Sequence, residues 1–318
     1  MMHLSRTFIF TQLLGALACK PQVEPTMDAG TRSEPPRPVA AALTGLGNCT
    51  IRALRIPTDD YRYTYYDQLA KLATSKLDAE RGPCDFDAVP FMSHSRKFTE
   101  LRNNKLDIVG NVSSTDLEER HQPIKIPVLM GLHGVRLLVI KKGQEAKFSG
   151  VKSLDDLRNL TAGVVHDWQV ADVLNENSLP VTTNDDYESL FRMLERGRID
   201  YIPLAIFEVV KEVARRPQYG IVVEPSLLLQ YPSTDYFFVN PARPELRDRL
   251  TQGLRRAIGD GSRSRLLESI YGMRAIIKET AISSRQVITL GNSADPPDAP
   301  RDEPAFWYQL DIAKRDTL

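Results

Sequence analysis

The chain has 318 residues, 42% of them hydrophobic, which favours two domains over one and gives enough apolar material for a sizeable core. Lysine plus arginine number 41 and aspartate plus glutamate number 41, for a net charge of +0. That balance supplies no bulk field for nucleic acid or an anionic membrane surface, so nucleic-acid binding is disfavoured and a soluble globular protein is expected.

At the start, Arg6 precedes an apolar run from Phe8 to Ala18 that leaves through Ala16-Leu17-Ala18-Cys19, the pattern of a signal peptide over residues 1–19. The run is about half of the roughly 20 residues a membrane-spanning helix needs. Cys19 stands where a lipoprotein signal peptidase leaves a diacylated cysteine, although Ala16 occupies the position where leucine is usual. The same residues satisfy the A-x-A rule for ordinary cleavage, so a lipid anchor and a free periplasmic form both stay open. Residues 20–48, rich in Pro, Glu, Ala, Arg and Thr and without apolar periodicity, form a flexible linker. Outside the cytoplasm the two remaining cysteines, Cys49 and Cys84, are expected to pair, closing a loop of about 35 residues; two buried thiols are the alternative.

Alternation from Ile51 to Pro57 predicts a first strand, and Leu69, Leu72 and Ala73 predict one face of a helix from about Tyr65 to Leu77. A strand Phe86–Phe91, a helix His94–Asn103 bearing Phe98 and Leu101, and a strand Leu106–Val109 follow. Such alternation implies crossover connections and a mostly parallel sheet. A second set opens with the strand Arg136–Lys141. It continues through a helix start at Ser153 with Asp156 at capping-box spacing, a strand Ala162–Val165, and a helix from about Trp168. A helix Tyr187–Glu195 stopped by Gly197, a strand Ile199–Pro203, a helix Glu208–Arg215 and a last strand Gly220–Val223 complete it. The extended segment Tyr231–Val239 and the helix Pro244–Ile258 return the chain to the first set. The fold class is therefore α/β with two lobes: residues 49–135 and 232–318 make lobe 1, and residues 136–231 make lobe 2. The cleft between two such sheets is the expected ligand site.

The segment L-R-N-N-K-L-D-I-V (Leu101 to Val109), then S-S-T-D-L-E-E-R (Ser113 to Arg120), I-P-V and L-L-V-I-K-K resembles the family 3, amino-acid-type, solute-binding proteins of bacterial ABC uptake systems. V-K-S-L-D-D-L-R-N-L (Val151 to Leu160) and G-R-I-D-Y (Gly197 to Tyr201) extend the likeness, which covers residues 50 to about 275. A proteobacterial subgroup that often lacks an evident transport partner is similar in further segments. These are His166-Asp167-Trp168, Leu190 to Leu194 and a Pro-rich tail around Pro304 to Tyr308. The resemblance implies the type II periplasmic-binding fold, with a discontinuous first lobe and two hinge crossings.

It also implies that Arg120 forks onto a ligand carboxylate, the alternative being a surface arginine paired with Glu118 or Glu119. Ser113, Ser114 and Thr115 just upstream are placed to add hydroxyl and free backbone N–H donors, or simply to cap the helix at Asp116 to Arg120. In lobe 2, Asp167 is placed to take a ligand ammonium and Trp168 to wall the site, with a local cap and a core indole as the alternative. Many amino-acid binders carry an α-ammonium aspartate where this chain has Ala205; Glu208, Asp167 or Asp235 are the candidate substitutes. Of the tyrosines at 61, 63, 65 and 66, at least one is expected to face the cleft, and Tyr66 is the candidate contact. Arg136, at the start of the crossover strand, is expected to brace the hinge, with ligand contact as the alternative. The five histidines show no metal-ligand spacing, so no metal and no cofactor is expected.

No nucleophile elbow, Walker loop or dinucleotide fingerprint is present, so a binder is expected rather than an enzyme. A dehydratase-like activity on the same fold would have to rest on Asp167, His166 and Glu208. A ligand-free scaffold would have Trp168 and Phe207 filling the cleft. The expected partners are a small polar ligand, an amino acid or another carboxylate, and a membrane permease or sensor protein. The protein itself is expected to be a monomer.

Overall fold

The computed structural model describes residues 49–57 and 61–312, apart from the side chains of His94 and Ser95. The signal peptide, Cys19 and the linker lie outside the described residues. In chain order the first lobe opens with β1 (Cys49–Leu54), α1 (Thr64–Ser75), α2 (Asp78–Arg81), β2 (Cys84–Val89), α3 (His94–Arg102), β3 (Ile108–Val112), α4 (Thr115–Arg120) and β4 (Pro123–Ile124). The second lobe holds β5 (Val135–Lys141), α5 (Leu154–Leu157), β6 (Ala162–Val165), α6 (Gln169–Glu176), β7 (Val181–Asn184), α7 (Tyr187–Glu195), β8 (Tyr201–Ala205), α8 (Ile206–Ala214), β9 (Ile221–Val223) and β10 (Leu227–Gln230). The return segment carries β11 (Asp235–Val239), α9 (Pro244–Gly259), α10 (Ser262–Tyr271), α11 (Met273–Glu279) and β12 (Gln286–Thr289).

Parallel pairing joins β1 to β2, β6 to β7 and β8, and β10 to β12. The expectation of a mostly parallel sheet needs correction at two places. Strand β5 runs antiparallel to β8, β9 and β10, and β11 runs antiparallel to β3 and β4. Both strands bring the chain in from the other lobe rather than from a crossover helix, so the βαβ rule does not set their direction. The larger sheet has the order β12-β10-β5-β8-β6-β7, with β9 also pairing to β5. Strands β10 and β12 have no counterpart among the predicted elements, and β12 joins this sheet although it belongs to the return segment 232–318.

Cys49 and Cys84 are cross-strand partners at the head of the β1–β2 pair and are bonded as a disulfide, with their Cα atoms 4.4 Å apart. The pairing shifts the expected strand Phe86–Phe91 back to begin at Cys84. Asp107, fully buried, ties this pair to β3 through Arg52, whose Nη2 donates over 2.6 Å and Nε over 3.0 Å, with Arg243 3.2 Å away. Charge-assisted bonds of this kind offset the cost of burying the carboxylate.

The helices follow local rules. Helix α1 buries Leu69, Ala70 and Ala73 against α9, and a Cβ at Gly253 would lie 1.8 Å from the Ala73 carbonyl oxygen, so the two helices pack backbone to side on a glycine. Pro244 opens α9, where its missing N–H costs nothing. Ser153 and Asp156 form the anticipated capping box of α5, and Asp186 caps α7 through the Glu188 and Ser189 amides. Among the described residues no helix is long and apolar enough to cross a membrane.

Candidate ligand cleft

The start of α1, the end of β3 and α4 from one lobe face the turn after β6 and the start of α8 from the other, with the first residues of β5 between them. Two cavities of about 320 and 810 Å³ occupy this space. They share Arg62, Tyr63, Tyr66, Gly110, Asp167 and Trp168, so they form one continuous cleft. Trp168 and Phe207 stand in its walls and leave the space between them open, unlike a filled scaffold.

Most of the predicted contacts come together here. Arg120, Ser114, Thr115, Asp167, Trp168, Tyr66 and Glu208 all line the larger cavity. The Arg120 side chain is 57% exposed at the rim and pairs with Asp116 one turn back on α4, not with Glu118 or Glu119. Ser113 is a correction: it is fully buried, its Oγ donates to Glu118 over 2.6 Å, and it lines neither cavity. Three of the N–H groups at this turn are also engaged. Ser113 N donates to Thr234 O at 2.7 Å, Thr115 N to Ala294 O at 2.9 Å, and Leu117 N to Ser114 Oγ at 3.2 Å. The cause is tertiary: β11 and the segment after β12 pack over the turn. Toward the cleft stand the Ser114 hydroxyl, which accepts from Leu117 N, the Thr115 hydroxyl, 3.5 Å from Ala294 O, and the Arg120 guanidinium, held by Asp116.

Tyr66 contributes its ring alone, because its hydroxyl donates to Asp235 over 2.8 Å. Gly110 is what admits that ring, since a Cβ there would fall 2.1 Å from Tyr66 Cδ1. Asp235, considered as a stand-in for the missing carboxylate at Ala205, is fully buried, also accepts from Leu129 N, and lines neither cavity. Burial pushes its pKa up to about 7 against the pull of those bonds. Glu208 faces the cavity, but one of its oxygens accepts from Ala205 N at 2.8 Å and caps α8. Burial raises its pKa, with Arg136 and Arg62 opposing. His166 is exposed and lines neither cavity, so the trio Asp167, His166 and Glu208 is not assembled around one space.

Two features, Lys97 and the direct contacts between the lobes, escaped the sequence. Lys97 on α3 is only 4% exposed and lines the smaller cavity; its Nζ donates to Asn111 Oδ1 at 2.7 Å, and burial pulls its pKa down to about 7, with Asp167 opposing. Its signal was its place one turn before Leu101 on the buried face of the helix. Arg136, read from the sequence as a hinge brace or a ligand contact, lines the larger cavity while its Nε donates to Tyr231 Oη at 2.9 Å and its Nη1 lies 3.6 Å from Glu208. The lobes also touch directly. Gln169 Nε2 donates to Ser113 O at 3.0 Å on one side; on the other, Tyr61 Oη donates to Glu212 at 2.7 Å and Arg62 lies 4.7 Å over the Tyr187 ring. Tyr187 in turn packs 5.3 Å from Trp168, so the cleft wall is a connected aromatic row. Among the described residues no group of histidine, cysteine and carboxylate side chains is placed to hold a metal ion.

Solved structures of the same architecture exist. An ancestral arginine-binding protein bound to glutamine superposes with a TM-score of 0.52 at 19% identity, over 71% of this chain and 99% of that one. The periplasmic VFT2 domain of BvgS from Bordetella pertussis gives 0.50 at 16% identity, over 70% of this chain and 92% of that one. No protein-family model matches the chain, and no curated protein does. The chain has the two-lobed type II periplasmic-binding fold, as its likeness to the family 3 solute-binding proteins implied.

Proposed function

We propose that this chain is an extracytoplasmic solute-binding protein that captures a small polar, carboxylate-bearing ligand by lobe closure, for ABC-type uptake or for sensing. The observation that carries the reading is a continuous cleft whose walls come from both lobes and hold a guanidinium at Arg120, hydroxyls at Ser114 and Thr115, and the Tyr66 and Trp168 rings. Such a mixture of aromatic wall and a few convergent polar groups is the make-up of small-ligand sites. Closure brings both lobes onto one ligand, and a permease or a receptor would read the closed shape. The two named structural relatives support the setting: one is a binding protein and the other a periplasmic domain. On this reading the protein is periplasmic, either free or held by a lipid on Cys19, and acts as a monomer without a cofactor.

The test is a thermal-shift screen of the purified chain against amino acids, small carboxylates and polyamines. A ligand at a hundred times its Kd adds about 2.7 kcal/mol of stability. A carboxylate hit that vanishes in Arg120→Ala, with the unliganded melting temperature unchanged, supports the assignment. Success of a polyamine with failure of every carboxylate overturns it.

A further inference from the structure

Five lysine and arginine side chains are buried among the described residues: Lys97, Arg136, Arg249, Arg263 and Arg285. Three of these have a carboxylate at hand: Glu208 at 3.6 Å for Arg136, Asp78 at 2.7 Å for Arg249, and Glu224 at 3.8 Å for Arg285. Arg263 donates to the Pro127 and Ala305 carbonyls, and it lines neither cavity. Lys97 differs from all of them. It faces a cavity, its acceptors are the neutral Asn111 Oδ1 at 2.7 Å and the Gly110 carbonyl at 3.5 Å, and it makes no ion pair among the described residues.

An ammonium has three hydrogens to place, and taking one out of water without a counter-charge costs several kcal/mol. The recess it faces is bordered by Phe86, Phe91, Met92 and Tyr63 beside Arg62, so an anion entering it meets apolar side chains and positive charge together. The carboxylates bordering the same recess do not neutralise it. Asp67 is taken by Lys71 at 2.8 Å, while Asp167 and Asp185 stand in solvent. Asp167 still acts on Lys97 through space, from the opposite lobe.

We propose that Lys97 is a specificity-determining residue whose counter-ion is an acidic group of the ligand, so that the cleft selects small molecules with two anionic groups, such as dicarboxylates and acidic amino acids, over neutral and cationic ones. This rests on the binding-protein reading, with Arg120 holding the first carboxylate and Lys97 the second. The ordinary structural role of a lysine does not account for it, because methionine would fill the same space at lower cost.

Isothermal titration of the full chain with L-glutamate, L-glutamine, L-arginine and succinate tests the proposal. The wild type is expected to bind L-glutamate or succinate at least tenfold more tightly than L-glutamine or L-arginine. Lys97→Met is expected to erase that preference, weakening the acid more than tenfold and the amide less than threefold, while melting at or above the wild-type temperature. Lys97→Gln, which keeps a donor for Asn111, replaces it if the methionine variant fails to fold. A wild type that takes the amide or arginine as tightly as the acid, or a variant with an unchanged ratio, overturns the assignment of Lys97 and leaves the binding-protein reading standing. Failure of all four compounds and of the wider carboxylate screen removes both.

Discussion

Replacing Cys49 and Cys84 together by alanine isolates the contribution of the disulfide. The bond closes a separation of 35 residues. In the chain-entropy model a loop of that size removes about 13 cal/mol/K from the unfolded ensemble, or about 4 kcal/mol at 25 °C. For a chain of this size each kcal/mol moves the midpoint by about 2–4 °C, so the double variant should melt about 8–16 °C below the oxidised wild type. The loss should concentrate at one place, because β2 pairs with β1 alone and has no fully buried residue. Differential scanning calorimetry of the oxidised wild type, the reduced wild type and the double variant checks the magnitude, and hydrogen exchange checks the location. The reduced wild type and the variant should melt together, with the β2 amides losing protection first. A variant that melts with the oxidised wild type refutes the reasoning, since it would mean the unfolded chain gains no freedom from the missing link.

Asp235 sets a pH dependence. Its pKa in the fold is about 7, against about 3.9 in an unfolded chain, so its contribution is present in full below about pH 4 and is lost as pH rises through 7. Urea unfolding of wild type and Asp235→Asn should therefore show a wild-type stability that falls relative to the variant between pH 4.5 and 7.5, by on the order of a few kcal/mol, and a difference independent of pH would rule this out. Gly253→Ala should destabilise despite the better helix propensity of alanine, because the new methyl would meet the Ala73 carbonyl carbon at 2.5 Å and its oxygen at 1.8 Å. Separating α1 from α9 should lower the urea midpoint by about 1–3 kcal/mol in stability, and an unchanged midpoint would show that the helices can part freely.

Elements with strong local patterns were legible in the sequence. Helix α7 has the predicted bounds Tyr187–Glu195, β6 has the predicted Ala162–Val165, and the capping box at Ser153 and Asp156 is present. Strand β10 was missed because Leu227, Leu228 and Leu229 show no alternation, both faces of the strand being covered. The direction of β5 depends on which lobe the chain arrives from, and local pattern holds no record of that. The same division runs through the cleft. Arg120 and Trp168 were visible as motif residues, whereas Ser113 failed because Glu118 takes its hydroxyl and the segment entering β11 takes its N–H. Lys97 was hidden because a lysine in a helix is ordinarily solvated, and only the packing around Asn111 and Gly110 buries this one.

The placement of β12 has a consequence for biosynthesis. Gln286–Thr289 pair with Leu227–Gln230, yet they are translated after every helix from Pro244 to Glu279. A nascent chain thus carries a complete set of helices for one half while the sheet of the other half still lacks its border strand. Until Gln286–Thr289 leave the ribosome, the outer hydrogen-bonding edge of three consecutive leucines stays bare, which is the arrangement that recruits foreign strands. Arg285, buried and bonded to the Glu224 and Leu227 carbonyls, is the residue that seats the late arrival.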